Sequence, residues 1–276
     1  HRWALAMDAA TQVSAYRPDL LPGPPPGTWD EAFALLAALP RGTVAELPAN
    51  PTHMWASFVS LCHHVADADR TGPRRDGRPE WWPESGIEPD VAAAALDRLH
   101  RLLALVDPVS LKRDPITTLD AMAAGAPIAY VPLVYGYSNY ARHGHAERLV
   151  RFAQAPCPGP VPTGTMTGGV GLAISASCRD VPAAAAVAEW LVSQECQTGI
   201  FLRAGGQPAH RAAWVDPAAN ELTNGFFADT LPTLDASFLR GRLPGYPTFQ
   251  QRAGEQLHEM VRRQEPATRV VTALSR

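Results

Sequence analysis

The chain has 276 residues, 46% of them hydrophobic and 18% charged, with 24 basic against 27 acidic side chains and a formal net charge of −3. That length leaves room for one large domain or two lobes, and so even a balance supplies no basic face for nucleic acid or anionic lipid. The longest apolar runs, such as Val181 to Val192 with Glu189 inside it, are too short to span a bilayer.

The segment Trp3 to Tyr16 reads apolar and then mixed, and leads through Arg17-Pro18-Asp19-Leu20-Leu21 into a proline-rich turn at 22–27. It lacks a basic stretch followed by an apolar core and a cleavage site, so a secretion signal is expected to be absent or already removed. Thr28 as N-cap with Glu31 at the capping-box position starts a helix whose apolar face is Phe33, Leu35, Leu36 and Leu39, ended by Pro40. Thr43 to Leu47 alternates like a strand, and Asn50-Pro51-Thr52 turns into a helix over His53 to Val65. The Pro, Gly and Arg-rich stretch from Asp69 to Pro89 is the least ordered part expected. A helical stripe follows over Asp90 to Leu105, then a helix over Pro115 to Ala124 closed by Gly125. Ile128 to Val134 is an apolar strand ending in the aromatic turn Tyr135-Gly136-Tyr137-Ser138-Asn139-Tyr140, and Leu149 to Ala153 is another strand. Gly168 to Ser175 reads as a glycine-led strand, Val181 to Leu202 as one long helix ending at Gly205-Gly206, and the rest as mostly helical with a break at Pro244-Gly245-Tyr246-Pro247. Strands alternating with helices indicate an α/β protein.

Fragments of catalytic signatures are incomplete. His63-His64 and His143-x-His145 lack the i, i+4 histidine pair and carboxylate of a helix-borne zinc site. Gly168-Gly169-x-Gly171 begins a strand, whereas phosphate loops follow a strand and open a helix. Ser175 and Ser177 have no nucleophile elbow around them, and Cys62, Cys157, Cys178 and Cys196 are too far apart for a C-x-x-C motif, so buried free thiols are expected. With no nucleophile, acid/base pair or cofactor motif, the expectation is a protein without catalysis, cofactor or metal. The positive signal is Tyr135, Tyr137, Ser138, Asn139 and Tyr140 at a strand end, where turns project side chains into clefts. Tyrosine offers a flat apolar face and a hydroxyl, which suit a sugar ring with CH patches and rim hydroxyls.

Ala15-Tyr16-Arg17-Pro18-Asp19-Leu20-Leu21 and Pro26-Gly27-Thr28-Trp29-Asp30-Glu31, followed by Met122-Ala123-Ala124-Gly125 into Ile128-Ala129-Tyr130, run in one order. After them come Tyr135-Gly136-Tyr137-Ser138-Asn139, the Gly168 to Ser175 stretch, Trp190-Leu191 and Gly205-Gly206-Gln207-Pro208. In this order the sequence resembles the family 1 extracellular solute-binding proteins of ABC importers, the maltose-binding-protein-like group. The resemblance implies a periplasmic-binding-protein-like α/β architecture of two lobes joined by hinge crossings, with ligand held between them and closure read by permease subunits. It implies a monomer outside the cytoplasm, free or tethered as a lipoprotein, that binds a sugar or other polyhydroxylated solute and no nucleic acid. It points to His53 and Trp55 before a cleft-lining helix, Tyr135, Tyr137 and Asn139 at the aromatic turn, Gly168 and Gly169 at the returning hinge, Arg240 and Arg242 as hydrogen-bond donors, and Phe249 as a late aromatic contact.

The resemblance divides the chain into a first-lobe remnant and hinge (1–8), a second lobe (9–166), a return segment of the first lobe (167–214) and C-terminal helices packing on the second lobe (215–276). In the family a longer first-lobe segment precedes the Y-x-x-D-L-L motif, so the first lobe is expected to be incomplete here, with an unpaired edge, exposed apolar surface and weak ligand binding by this chain alone. Two alternatives stay open: an anion or metal-chelate binder of the same fold, using Tyr135, Tyr137 and His53 or the late arginines, and an intracellular sensor or enzyme derived from it.

Overall fold

The structure, a computed structural model, describes residues 3–21, 23–68, 81–82, 86–241 and 244–274. Most of the Asp69 to Pro89 stretch therefore lies outside the described residues, as does Arg242. The first strands are β1 (Leu5–Ala6) and β2 (Ala10–Tyr16), followed by α1 (Trp29–Ala37), β3 (Val44–Ala45), α2 (Pro51–Ala66), α3 (Pro89–Leu103) and α4 (Pro115–Ala123). Then come β4 (Ile128–Tyr135), β5 (Arg151–Ala153), β6 (Thr167–Gly168), β7 (Gly171–Leu172), α5 (Val181–Leu191) and the short α6 (Gln194–Cys196). The chain closes with α7 (Arg211–Trp214), α8 (Pro217–Leu222), α9 (Phe226–Asp235), α10 (Tyr246–Arg262) and α11 (Ala267–Leu274).

The capping signals act as expected from their chemistry. Glu31 N donates to Thr28 Oγ1 at 3.3 Å, and Thr28 N donates back to Glu31 Oε2 at 3.0 Å, which starts α1. Asn50 caps α2 and Asp114 caps α4, each with proline in the first turn, where the missing N–H has no partner to lose.

The main sheet has the order β3-β4-β2-β5, and β6 pairs with β2 as well. β4 is parallel to β3 and antiparallel to β2, with Val13 opposite Val134 and Tyr16 opposite Tyr130. Helices cover both faces, which is why β4 is a nearly unbroken apolar run. Tyr130 and Leu133 enter a core built with α1, α2, α3, α10 and α11. Ile128, Val131 and Val134 enter a second core with α4 and α9.

Three elements differ from their sequence reading. The segment Trp3 to Tyr16 holds two strands, and β2 shows no polar alternation because Thr11, Gln12 and Ser14 are buried along with Val13 and Ala15. The single strand over Gly168 to Ser175 is two short ones, since the chain leaves β2 at Gly169 (φ +147°) and joins β1 at Gly171. The long helix over Val181 to Leu202 is also broken. Ser193 caps a new turn and Gly199 takes a non-helical conformation, while the wholly buried Gln197 side chain bonds to Leu191 O, Met7 O and Ala209 N.

α5 buries only Ala188 and leaves Val181, Val187 and Trp190 exposed. An apolar groove of about 590 Å³ runs between it and the β7 segment, lined among others by Leu172, Ile174, Val187 and Leu191. Among the described residues β1 has β7 as its only strand partner. Cys62, Cys157 and Cys196 are buried free thiols, and Cys178 is a half-buried one.

The histidine pair is built into the core. Trp29 Nε1 donates to His64 Nδ1 at 2.9 Å, so Nε2 carries the proton and donates to Gly164 O at 3.1 Å. Trp81 Nε1 donates to His63 Nδ1 at 3.2 Å. Burial, followed by the nearby Arg98 charge, lowers the His64 pKa to about 4. Because the folded value lies below the unfolded one of 6.5, this contribution to stability is complete above pH 6.5 and is lost as pH falls towards 4. Urea melts across that window should show a loss on the order of 3 kcal/mol from this group, and His64→Gln should flatten the slope.

Candidate functional site

The N-terminal turn of α2, the end of β4 and the start of α10 bring the expected residues to one region. His53 follows the Asn50 cap, and its Nδ1–H donates to Asn50 Oδ1 at 2.9 Å, which leaves Nε2 as an acceptor. Its ring meets Tyr135 edge-on, with centroids 6.2 Å apart. Burial keeps His53 neutral to lower pH than usual, against the opposing charge of Asp114. Asp114 itself is held below the ordinary carboxylate range, mainly by the Thr117 backbone N–H that it caps. The starts of α2 and α4 therefore bring a neutral imidazole and an ionised carboxylate within electrostatic reach of each other.

Tyr135 ends β4, where it pairs with Gln12 of β2. Its hydroxyl donates to Met166 O at 3.2 Å, and burial pushes the phenol well above its usual range. Behind it a buried polar network joins three elements. Gln12 Nε2 donates to Ser57 Oγ at 2.9 Å, Ser60 Oγ donates to Gln12 Oε1 at 2.7 Å, and Met166 N donates to Ser60 Oγ at 3.0 Å. Such a network is rigid when every member is satisfied. Tyr137 is 41% exposed, and burial of its other part, followed by the charges of Asp8 and Asp114, raises its hydroxyl.

A second aromatic group adjoins the first. Trp55, fully buried, is the floor on which Trp82 and Phe249 stand edge-on at 6.0 and 5.6 Å, and Tyr246 lies 6.1 Å from both Trp82 and Phe249. Phe249 is 41% exposed and Trp82 half-buried, so this wall has an open apolar face. Arg240 is exposed, acts electrostatically on both Tyr135 and Tyr246, and donates to Gln250 Oε1 at 3.3 Å.

The remaining expected residues shape the backbone. A Cβ on Gly168 would lie 2.8 Å from Tyr135 Cε1, and one on Gly169 would lie 2.7 Å from Asp8 O. Asn139 packs against the Gly205 backbone, with Oδ1 3.3 Å from where a Cβ there would sit. Sequence reasoning missed Trp82, Tyr246, Asp8 and Asp114. The doubled Trp81-Trp82 in a polar, proline-rich stretch and the Tyr246 inside a Pro-Gly break were visible signals, while Asp114 reads as a helix cap and Asp8 carries no local pattern.

Gly168→Ala should push the Tyr135 ring from its place and cost about 1–3 kcal/mol by overpacking. Urea denaturation and the near-ultraviolet circular dichroism of the tyrosines would measure both.

No protein-family model matches the chain, and no curated protein matches it in sequence. Solved structures do. Maltose-bound MalE3 of T. maritima superposes with a TM-score of 0.78 at 18% identity, over 99% of this chain and 71% of that one. A ribitol complex of an ABC transporter solute-binding protein from Agrobacterium radiobacter K84 gives 0.74 at 20% identity, over 100% and 70%. A D-mannitol complex of such a protein from Agrobacterium vitis S4 gives 0.73 at 15%, over 99% and 71%. At this identity the likeness is one of fold: the chain is an α/β protein with the fold of the MalE-like solute-binding proteins of ABC transporters.

Proposed function

We propose that this protein binds a sugar or polyol at the wall formed by Tyr135, Tyr137, Trp82, Tyr246 and Phe249, and serves as the solute-binding component of an ABC importer. The observation that carries the reading is an aromatic group whose Tyr137 and Phe249 are each 41% exposed, beside His53, Asp114 and Arg240. Aromatic faces pack on the CH side of a sugar or polyol, and a few polar groups fix its hydroxyls. The neighbours with bound maltose, ribitol and D-mannitol support it. In this reading the ligand lies between two units, one of segments 1–8 and 167–214, the other of 9–166 and 215–276, and permease subunits outside the cytoplasm read its capture. The β1–β7 pair, separate from the main sheet, supports that division.

The chemistry of Tyr135 disfavours the metal-chelate alternative. A hard metal takes phenolate, and this phenol is buried, resists ionisation and already bonds to Met166 O. Among the described residues no group of three or more His, Cys, Asp or Glu side chains is placed to hold a metal ion.

The test is a tryptophan-fluorescence titration with maltose, ribitol and D-mannitol up to tens of millimolar (about a millimolar Kd corresponds to −4.1 kcal/mol). At least one should shift the emission saturably, and Phe249→Ala, at a position that is 41% exposed, should weaken that binding about tenfold or more. Flat titrations with all three would overturn the reading.

A further inference from the structure

The Gly205-Gly206-Gln207-Pro208 turn plays no part in the ligand contacts proposed above, yet its hydrogen bonds reach the tyrosine turn. Gln207 Nε2 donates to Ala9 O at 2.9 Å and to Gly136 O at 3.2 Å, and Gln207 Oε1 accepts from Ser138 N at 2.9 Å. These partners lie 198, 71 and 69 residues away in sequence. They are the backbone entering β2 and the backbone on either side of Tyr137. A carboxamide alone among side chains places two donors and an acceptor on one planar group.

The turn that delivers this amide is itself closely fixed. Gly205 has φ +95°, which favours glycine, and a Cβ on Gly206 would lie 2.6 Å from the Phe201 ring. Pro208 bridges to Asp8, and its carbonyl accepts from Trp214 Nε1 at 2.7 Å. At the receiving end, Gly136 has no room for a side chain, since a Cβ would lie 2.9 Å from Val13 Cγ2.

We propose that Gln207 is a positioning residue of the ligand site. It sets the Tyr135–Asn139 turn against the start of β2, and so fixes where Tyr137 stands relative to Asp8. The effect on affinity rests on the sugar or polyol reading above, whereas the effect on the turn does not.

The experiment compares wild type, Gln207→Leu and Gln207→Glu by amide hydrogen exchange, by 19F NMR with fluorotyrosine, and by D-mannitol and ribitol titration. In Gln207→Leu the Ser138 amide should exchange at least about tenfold faster, the Tyr137 resonance should shift, and affinity should fall about tenfold, the order expected for losing bonds to partly buried groups. Gln207→Glu retains an acceptor for Ser138 N–H but faces two carbonyls with a carboxylate. It should keep Ser138 protected and still shift Tyr137, and it carries the test if the leucine variant does not fold. Unchanged Ser138 exchange and unchanged tyrosine resonances would overturn the proposal, as would a lower melting temperature with affinity and resonances intact. A moved turn in a protein whose wild type binds neither polyol would support the positioning role and count against the sugar or polyol reading.

Discussion

The whole arrangement depends on satisfying the polar groups of β2 where it runs through the interior. The strand pairs with β4 along one edge and with β5 and β6 along the other, so its backbone N–H and C=O groups find partners without water. Its side chains impose the same demand. Thr11 bonds to Thr165 at 2.6 Å, Gln12 to Ser57 and Ser60, and Ser14 Oγ donates to Gln154 O at 2.9 Å. A buried amide or hydroxyl left unpaired costs kilocalories, so this set of bonds selects one placement of α2 and of the returning β6. A plain apolar strand would pack as tightly but would tolerate other registers.

The site inherits its precision from that strand. Tyr135 stands opposite Gln12 and bonds to Met166 O, which sits on the same returning segment that Ser60 holds. His53 and Trp55 occupy the first turns of α2, the helix that the Gln12 bonds fix in place. Tyr135 thus stands at the end of β4, and Tyr246 and Phe249 in the first turn of α10. The apolar groove beside α5 differs in kind: its lining is almost wholly hydrocarbon.

Glycines mark the places where neighbouring segments approach too closely for a side chain. Gly169 crosses against Asp8 O at the point where the backbone leaves the main sheet for β1. Gly168 leaves room for the Tyr135 ring, and Gly136 lies against Val13 and Phe226. In each case the missing side chain is replaced by a neighbour at contact distance. These glycines therefore transmit the position of one strand to the next instead of adding flexibility.

Local chemistry determined much of this protein before any packing was considered. The Thr28–Glu31 box, the Asn50 and Asp114 caps, the Pro115 start and the apolar run Ile128 to Val134 place their elements by capping, fixed φ and period alone. The order of short motifs was enough to suggest the fold, and the tyrosines at the end of β4 suggested a ligand turn. Tertiary structure decided what those signals leave free. A polar-looking β2 became the central strand because its partners lie 45 to 155 residues away, and the helix after Val181 broke because Gln197 found backbone groups on three segments. Phe249 and Tyr246 of α10 meet Trp55 and Trp82 because α10 packs on α2. Propensity acts over a few residues, whereas pairing of buried polar groups acts between segments that only the folded chain brings together.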